Sequence, residues 1–225
     1  AYLWSWHLWI TEEPQLVGGF MDRNLGAMSA TPSDGVKTYG LYYQFGRKDP
    51  FTGDIDRYDI NGNSVGKTTI TSGKVTFAKA MQTPAVFYTY GDSSPYDWAS
   101  PNNYTSKKWN DITDAAGKSL FDPSPKGWRL ANSNELETFS ESRLPWDDLN
   151  KGWIYEGNWF PINGRRDSQY GSMAISYYYI SWTSFINSTS YGRAFSIAKY
   201  ANGIGVDYNA LWGRAYGFSV RCVQE

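Results

Sequence analysis

Cysteine and histidine are nearly missing from this chain: Cys222 and His7 are the only ones among 225 residues. A single cysteine closes no internal disulfide, so no disulfide framework staples the fold. One His and one Cys, far apart in sequence, argue against a zinc site, which takes three or four such ligands. A Ser-His-Asp or Cys-His device would have to use His7. That residue sits in an alternating aromatic run with no nucleophile beside it, and it reads as structural. Neither charge is in excess, with 21 Lys+Arg against 22 Asp+Glu. No basic stripe appears, which leaves nucleic-acid binding without support. No apolar run approaches the length of a membrane-spanning helix. The chain opens at Ala1 without a Met or a signal-peptide pattern. It reads as a processed product or an excised piece, so missing targeting signals exclude nothing.

What the chain has in abundance is aromatic surface: 18% of residues, with 11 Trp and 18 Tyr. Such composition fits a loop-rich β or α+β fold held by aromatic clusters, as in extracellular recognition modules. From Tyr170 to Phe218 the aromatics mix with Ser, Asn and Gly over short strand-like runs, the densest being Ser176 to Arg193. Tyr and Trp supply contact area with few rotatable bonds, and Ser, Gly and Asn supply adaptable hydrogen bonding, the composition of an antibody combining site. The competing reading is an ordinary β core with aromatic cross-strand pairs.

Residues 2–10 alternate and predict a strand, and Phe20 to Leu25 predicts a second one ended by Gly26. Tyr39 to Phe45 fits either a strand or a helical turn. Residues 48–74 form a long polar excursion with a hairpin expected at Asn61-Gly62. Val75 to Met81 fits a short helix closed by Pro84. Residues 91–117 read as loop, anchored by Trp98 and Trp109. The best helix signal runs from Ser133 to Leu144, with Asn132 and Glu135 spaced as a capping box and Leu136, Phe139 and Leu144 on one face. Strands and turns follow Gly152 to the end. Without a tandem repeat or a clean linker, residues 1–225 read as a single domain.

The chemical motifs are weak. Asn61 to Thr68 ends like a phosphate loop but has Asn where the first Gly must stand. Paired acids at Glu12/Glu13, Glu135/Glu137 and Asp147/Asp148 leave a glycosidase open only if two carboxylates face each other across a cleft. Trp109-Asn110-Asp111 matches a tripeptide of calcium-dependent lectins, whose Asn and Asp give oxygen ligands. It lacks the partner motif and lies far from the last strands. A cation among the Asp- and Asn-rich loops at 54–63 stays open. No cofactor is expected, and calcium has no clear motif. Cys222, in the alternating run Phe218 to Val223, reads as a small buried apolar residue.

Several phrases, taken in order along nearly the whole chain, resemble one family. They are Trp4 to Trp9, Phe20 to Gly26, Tyr39 to Arg47, Asp122 to Leu130, and the ending Gly217-Phe218-Ser219-Val220-Arg221-Cys222. The chain resembles the Fibrobacter succinogenes major paralogous domain (FISUMP) family of surface and fimbrial-tip proteins in gut Bacteroidales. The resemblance implies a C-type-lectin-like α+β fold: a twisted antiparallel sheet, about two helices, long loops, and paired N- and C-terminal strands. Relatives often carry Cys where this chain has Ser124, placed to bond the terminal cysteine, so a bridge to Cys222 is excluded here. The tail also resembles variable proteins of diversity-generating retroelements. There, Tyr, Asn, Ser, Asp, Phe and Ala interleave with a steadier Trp/Ser/Ala/Val frame, as substitution at Asn codons would leave. A fixed lectin-like tail is the alternative.

These readings converge on a non-enzymatic ligand-binding or adhesion domain, extracellular on a cell surface or a fimbrial or phage tip. The partner expected is a protein or glycan on another surface, with no nucleic acid and no membrane insertion. The binding region spans 177–216. Trp182 and Val220 are expected to face inward. Tyr177, Tyr179, Phe185, Asn187, Ser188, Tyr191, Arg193, Phe195, Asp207, Tyr208, Asn209, Leu211, Trp212 and Tyr216 are expected to meet the ligand, with Arg193 and Asp207 setting charge selectivity. The alternatives are a calcium-dependent sugar-binding lectin, a structural pilus module and, least favoured, a glycosidase.

Overall fold

The structure is a computed structural model that describes residues 4–58, 61–91, 96–100, 109, 118–186 and 191–225. Three long strands dominate it: Tyr178–Ile186, Tyr191–Tyr200 and Gly203–Gly213, neighbours in that order and antiparallel. Their β-branched and aromatic residues alternate across the two faces, as strand geometry requires. The short strand Gly217–Val220 then returns to lie parallel to Tyr178–Ile186, with Ser181 opposite Ser219 and Trp182 opposite Val220. It also pairs with Tyr42–Gln44 and with Arg165–Arg166, which carries Met173–Ala174 at its outer side. With Pro50–Phe51 on Tyr42–Gln44, this makes a mixed, mostly antiparallel sheet of eight strands. Short hairpins and few helices surround it, an α+β arrangement that is mostly sheet.

Both faces of the central strand are covered. One face carries Tyr179, Phe195 and Ile197 onto Phe139, Tyr155 and Phe160; the other carries Ile180, Trp182 and Ala194 onto Tyr43, Phe45 and Phe218. Aromatic edge-to-face contacts recur through both, such as Phe160 with Tyr179 at 5.1 Å and Phe45 with Trp182 at 5.2 Å, each adding to the area term. Trp98 and Trp109 are anchors as expected. Both are buried, and their indole N–H groups donate to the Phe45 and Arg47 carbonyls at 3.0 and 3.1 Å. A third cluster ties the helix Phe77–Gln82 to Trp98 and Ala215.

The helix expected over Ser133 to Leu144 is shorter. Its capping box forms, with Asn132 and Glu135 bonded reciprocally, but the α-helix stops at Leu136. Phe139 and Leu144 still reach the same core. The carbonyls that would carry the helix on accept i+3 bonds instead, Asn134 O from Glu137 N–H and Leu136 O from Phe139 N–H, and beyond them the Tyr155 hydroxyl and Arg143 both donate to Thr138 O. The hairpin expected at Asn61-Gly62 is present, with Arg57–Tyr58 opposite Ser64–Gly66.

The N-terminal strand is a correction. Residues 4–10 form no strand, and Trp6, Leu8 and Ile10 stand 79, 81 and 96% exposed. The C-terminal strand Cys222–Gln224 pairs instead with Trp128–Leu130. The N-terminal stretch is held through its polar groups, the Ser5 hydroxyl donating to Asp49 at 2.6 Å and Lys48 reaching Ser5. His7 therefore lies on an exposed stretch rather than in a strand.

Arg221 braces the tail from inside. It is 1% exposed and donates to Asn24 Oδ1, Met21 O, Asn158 Oδ1 and Trp159 O at 2.6–3.0 Å. Its guanidinium lies 4.2 Å over the Phe160 ring. A buried charge is tolerated only when its donors are met, and here four bonds reach the N-terminal hairpin region and the strand Asn158–Pro161 at once.

Candidate functional site

The three long strands outrun the core beneath them. On Tyr191–Tyr200, Phe195 and Ile197 are fully buried against the Phe139 cluster, whereas Arg193 and Tyr191, two and four residues back on the same face, are half-buried. On Tyr178–Ile186 that face carries buried Tyr179, and past Trp182, where the register to the next strand is irregular, Phe185 is exposed. The open ends meet around Arg193. Its guanidinium lies 5.7 Å over the Phe185 ring and bonds Asn209 Oδ1, and Leu211 stands directly across the ladder, 51% exposed.

Asn209 reaches Arg193 because Gly203–Gly213 carries an extra residue. Ala194 pairs with Ala210 but Ser196 pairs with Asp207, so Tyr208 and Asn209 together oppose Phe195. Such a bulge reverses the inward and outward sense of a strand. Below it Asp207 shares Ser196's face; above it Leu211 shares Arg193's. Asp207 is exposed, yet it sits on the opposite face from Arg193, and its carboxylate accepts from the Asn209 N–H at 2.8 Å. Arg193 and Asp207, both expected to set charge selectivity, therefore lie on different faces.

Two expected contact residues belong to the frame. Tyr179 and Phe195 are both 0% exposed, and the Tyr179 hydroxyl donates to Asn24 Oδ1 at 3.1 Å. Strand alternation does place them with Tyr177, Phe185 and Arg193, but the core covers the middle of that face and leaves only its ends open. Tyr177, just before the strand, is 61% exposed. Tyr208, one of the two bulged residues, is half-buried against the core. Trp182 and Val220 face inward as expected. Asn187 and Ser188 lie outside the described residues.

Trp212 and Tyr216 turn to the other face, where Trp212 packs edge-on to Tyr216 and Phe218 at 5.0 and 5.5 Å. With Tyr178 they enclose Arg165, whose guanidinium carbon is 5.4, 5.1 and 5.5 Å from the Tyr178, Trp212 and Tyr216 rings. Burial pushes the Tyr178 hydroxyl above its ordinary pKa, opposed in part by Arg165, which donates to it. Sequence reading missed Arg165 and Tyr178. The Arg lies eleven residues before the densest aromatic run, Ser176 to Arg193, and nothing local marks it. The chain matches no protein-family model, no curated protein and no solved structure.

The other candidate chemistries meet structural partners. Glu135 serves the capping box and pairs with Arg129. Asp147 caps the turn to Asn150, which holds its carboxyl below the usual range, and the bond from Lys151 does the same for Asp148. An open cleft of about 520 Å³ lies beside Glu135 and Glu156, and Glu156 is paired to Arg143. In the 54–63 excursion Asp54 pairs with Lys67, and Asp56 accepts from Ser64. Among the described residues no three His, Cys, Asp or Glu gather as a metal would require. Asn110 and Asp111 lie outside them. No helix among the described residues is long and apolar enough to cross a membrane.

Proposed function

We propose that this chain is a non-enzymatic ligand-binding domain of C-type-lectin-like, FISUMP-related type, presented outside the cell to grip a protein or glycan on another surface. One observation carries the reading. The tail's aromatic and polar residues divide into a buried frame and a contiguous open end, and the open end, Phe185, Arg193, Asn209 and Leu211, lies past the edge of the core. Exposed apolar groups rimmed by polar ones mark interaction surfaces, and here Arg193 and Leu211 face each other across the ladder, with Phe185 and Asn209 gathered on the Arg193 guanidinium. Substitution there leaves the packing beneath untouched, as retroelement-driven variation would need.

The test applies labelled protein to arrays of glycans and of extracellular proteins, then repeats any hit with Phe185→Ala and Leu211→Ala. Loss of an anchor weakens binding by about 1–4 kcal/mol, roughly fivefold or more, with the melting temperature unchanged. Binding indifferent to both substitutions refutes this face as the site. Sequences of the same locus from sister strains test the variable tail, whose differences should fall within 177–216 and spare Tyr179, Trp182 and Phe195.

A further inference from the structure

A second site lies on the opposite sheet face, independent of the Arg193 surface. Arg23, Arg47, Arg129, Arg143 and Arg214 each have a carboxylate partner, and the buried Arg166 and Arg221 donate to carbonyls. Arg165 has aromatic rings instead. Tyr178, Trp212 and Tyr216 surround its guanidinium at 5.1–5.5 Å, Nη1 donates to the Tyr178 hydroxyl, and Nε is buried without an acceptor. No acidic group among the described residues pairs with it. Rings stabilise the faces of a guanidinium through their quadrupole, but they do nothing for the in-plane N–H donors. Of five donors, one is met among the described residues. Nη2 has no bond among the described residues and is not fully buried, so it is open to an incoming acceptor.

We propose that this cage presents Arg165 end-on as a receptor for a carboxylate on a partner protein, an Asp or Glu side chain. The end of the guanidinium, Nη2 with the second hydrogen of Nη1, matches the two oxygens of a carboxylate, and such bidentate bonds are strong and directional. Caging fixes the side chain before the ligand arrives, so little rotamer entropy remains to be lost. An acidic sugar is the weaker fit. Sugar recognition needs a free aromatic face, and here Trp212 packs on Tyr216 and Phe218, Tyr216 stacks on Phe218, and all three cage rings face Arg165.

The experiment follows the Arg165 Nε–H and Trp212 indole signals of the ¹⁵N-labelled protein by NMR. Probes are a capped tetraglutamate peptide, its glutamine counterpart, and oligogalacturonate. The acidic peptide should shift both signals with a dissociation constant of about 1–10 mM, and added salt should weaken the effect. The glutamine peptide should not shift them. Arg165→Gln should weaken the Trp212 response about tenfold, and Arg165→Lys should recover part of it, with both variants keeping the parent's dispersed spectrum. Should either fail to fold, Trp212 shifts in the unaltered protein, compared between glutamate and glutamine peptides, decide alone. Equal response to both peptides, response to oligogalacturonate only, or none at about 10 mM overturns the proposal. None of these outcomes bears on the Arg193 face, whose test uses different residues.

Discussion

Replacing Ser124 by cysteine should close a disulfide to Cys222. The Cys222 thiol lies 3.2 Å from the Ser124 hydroxyl, both in the interior, 98 residues apart in sequence. A sulfur–sulfur bond of about 2.05 Å asks the two side chains to approach by roughly 1 Å, a movement within reach of small rotations at both positions. Crosslinking a loop of about 100 residues removes denatured-state entropy worth about 4.7 kcal/mol in the chain-entropy model. Against this stand the lost thiol–hydroxyl contact, about 0.5–1 kcal/mol, and any strain. A net gain of about 2–4 kcal/mol remains, and at 2–4 °C per kcal/mol for a chain this long the melting temperature should rise by roughly 5–15 °C. Burial pushes the Cys222 thiol up to about 12, so the folded dithiol holds almost no thiolate and should oxidise slowly. The bridge should therefore form during oxidative refolding and hardly at all by oxidant added afterwards. Thiol titration in denaturant, mass under non-reducing conditions and melting with and without reductant check each step. Two free thiols after oxidative refolding, or a bridge that lowers the melting temperature, would refute the reasoning.

Tyr179→Ala should cost about 3–5 kcal/mol, because it empties a buried aromatic site and orphans a bond to Asn24, whereas Tyr177→Ala should stay within about 0.5 kcal/mol; urea midpoints compare them, and similar losses would contradict the frame-and-display division. Alkaline pH should unfold the protein in steps. Burial raises Cys222 to about 12 and also lifts the Tyr42 and Tyr43 hydroxyls. Each group binds its proton more tightly folded than unfolded, so its contribution is complete below the ordinary thiol or phenol pKa and is lost as pH climbs toward the folded value. Between about pH 9 and 12 Cys222 alone should give a slope of about 1.4 kcal/mol per pH unit, and Cys222→Ala should flatten that part of a stability–pH curve while leaving the tyrosine part. Identical slopes in the two proteins would reject a buried thiol as the cause.

The elements legible in the sequence were those whose signals are local. The Asn132–Glu135 capping box, the Asn61-Gly62 hairpin and the inward Trp182 and Val220 rest on spacing, turn chemistry and alternation, which act over a few residues. Where tertiary partners compete, local reading went wrong. The helix tightens to i+3 bonds at Asn134 and Leu136, and the turn that follows is held by Tyr155 and Arg143, side chains 17 and 5 residues away from Thr138. The aromatic alternation of residues 4–10 was real, but a strand needs a neighbouring edge. The terminal strand had already given its own to Trp128–Leu130.

Two of the expected contact residues, Tyr179 and Phe195, proved to be buried for a more instructive reason. Alternation does group Tyr177, Tyr179, Phe185 and Arg193 on one side of two strands, and composition cannot tell where along that side the core ends. A recognition surface made from the overhanging ends of core strands uses the same residue types as the core itself, because the same pleat and the same cross-strand contacts govern both. Display is then a matter of length: a strand two or three residues longer than its floor turns frame positions into contact positions. The bulge at Tyr208–Asn209 adds a second operation that alternation cannot foresee. One extra residue moves Leu211 onto the Arg193 face and sends Trp212 to the opposite side, where the cage around Arg165 is built. A single inserted residue at an edge strand thus divides one aromatic run between two surfaces, one where Phe185 and Leu211 flank Arg193 and one where aromatic rings enclose Arg165. Deleting Asn209 should collapse that division, exchanging the sides of Leu211 and Trp212. Quenching of Trp212 fluorescence by acrylamide would report the exchange, and unchanged quenching in a folded deletion variant would show that the bulge does not set the two faces.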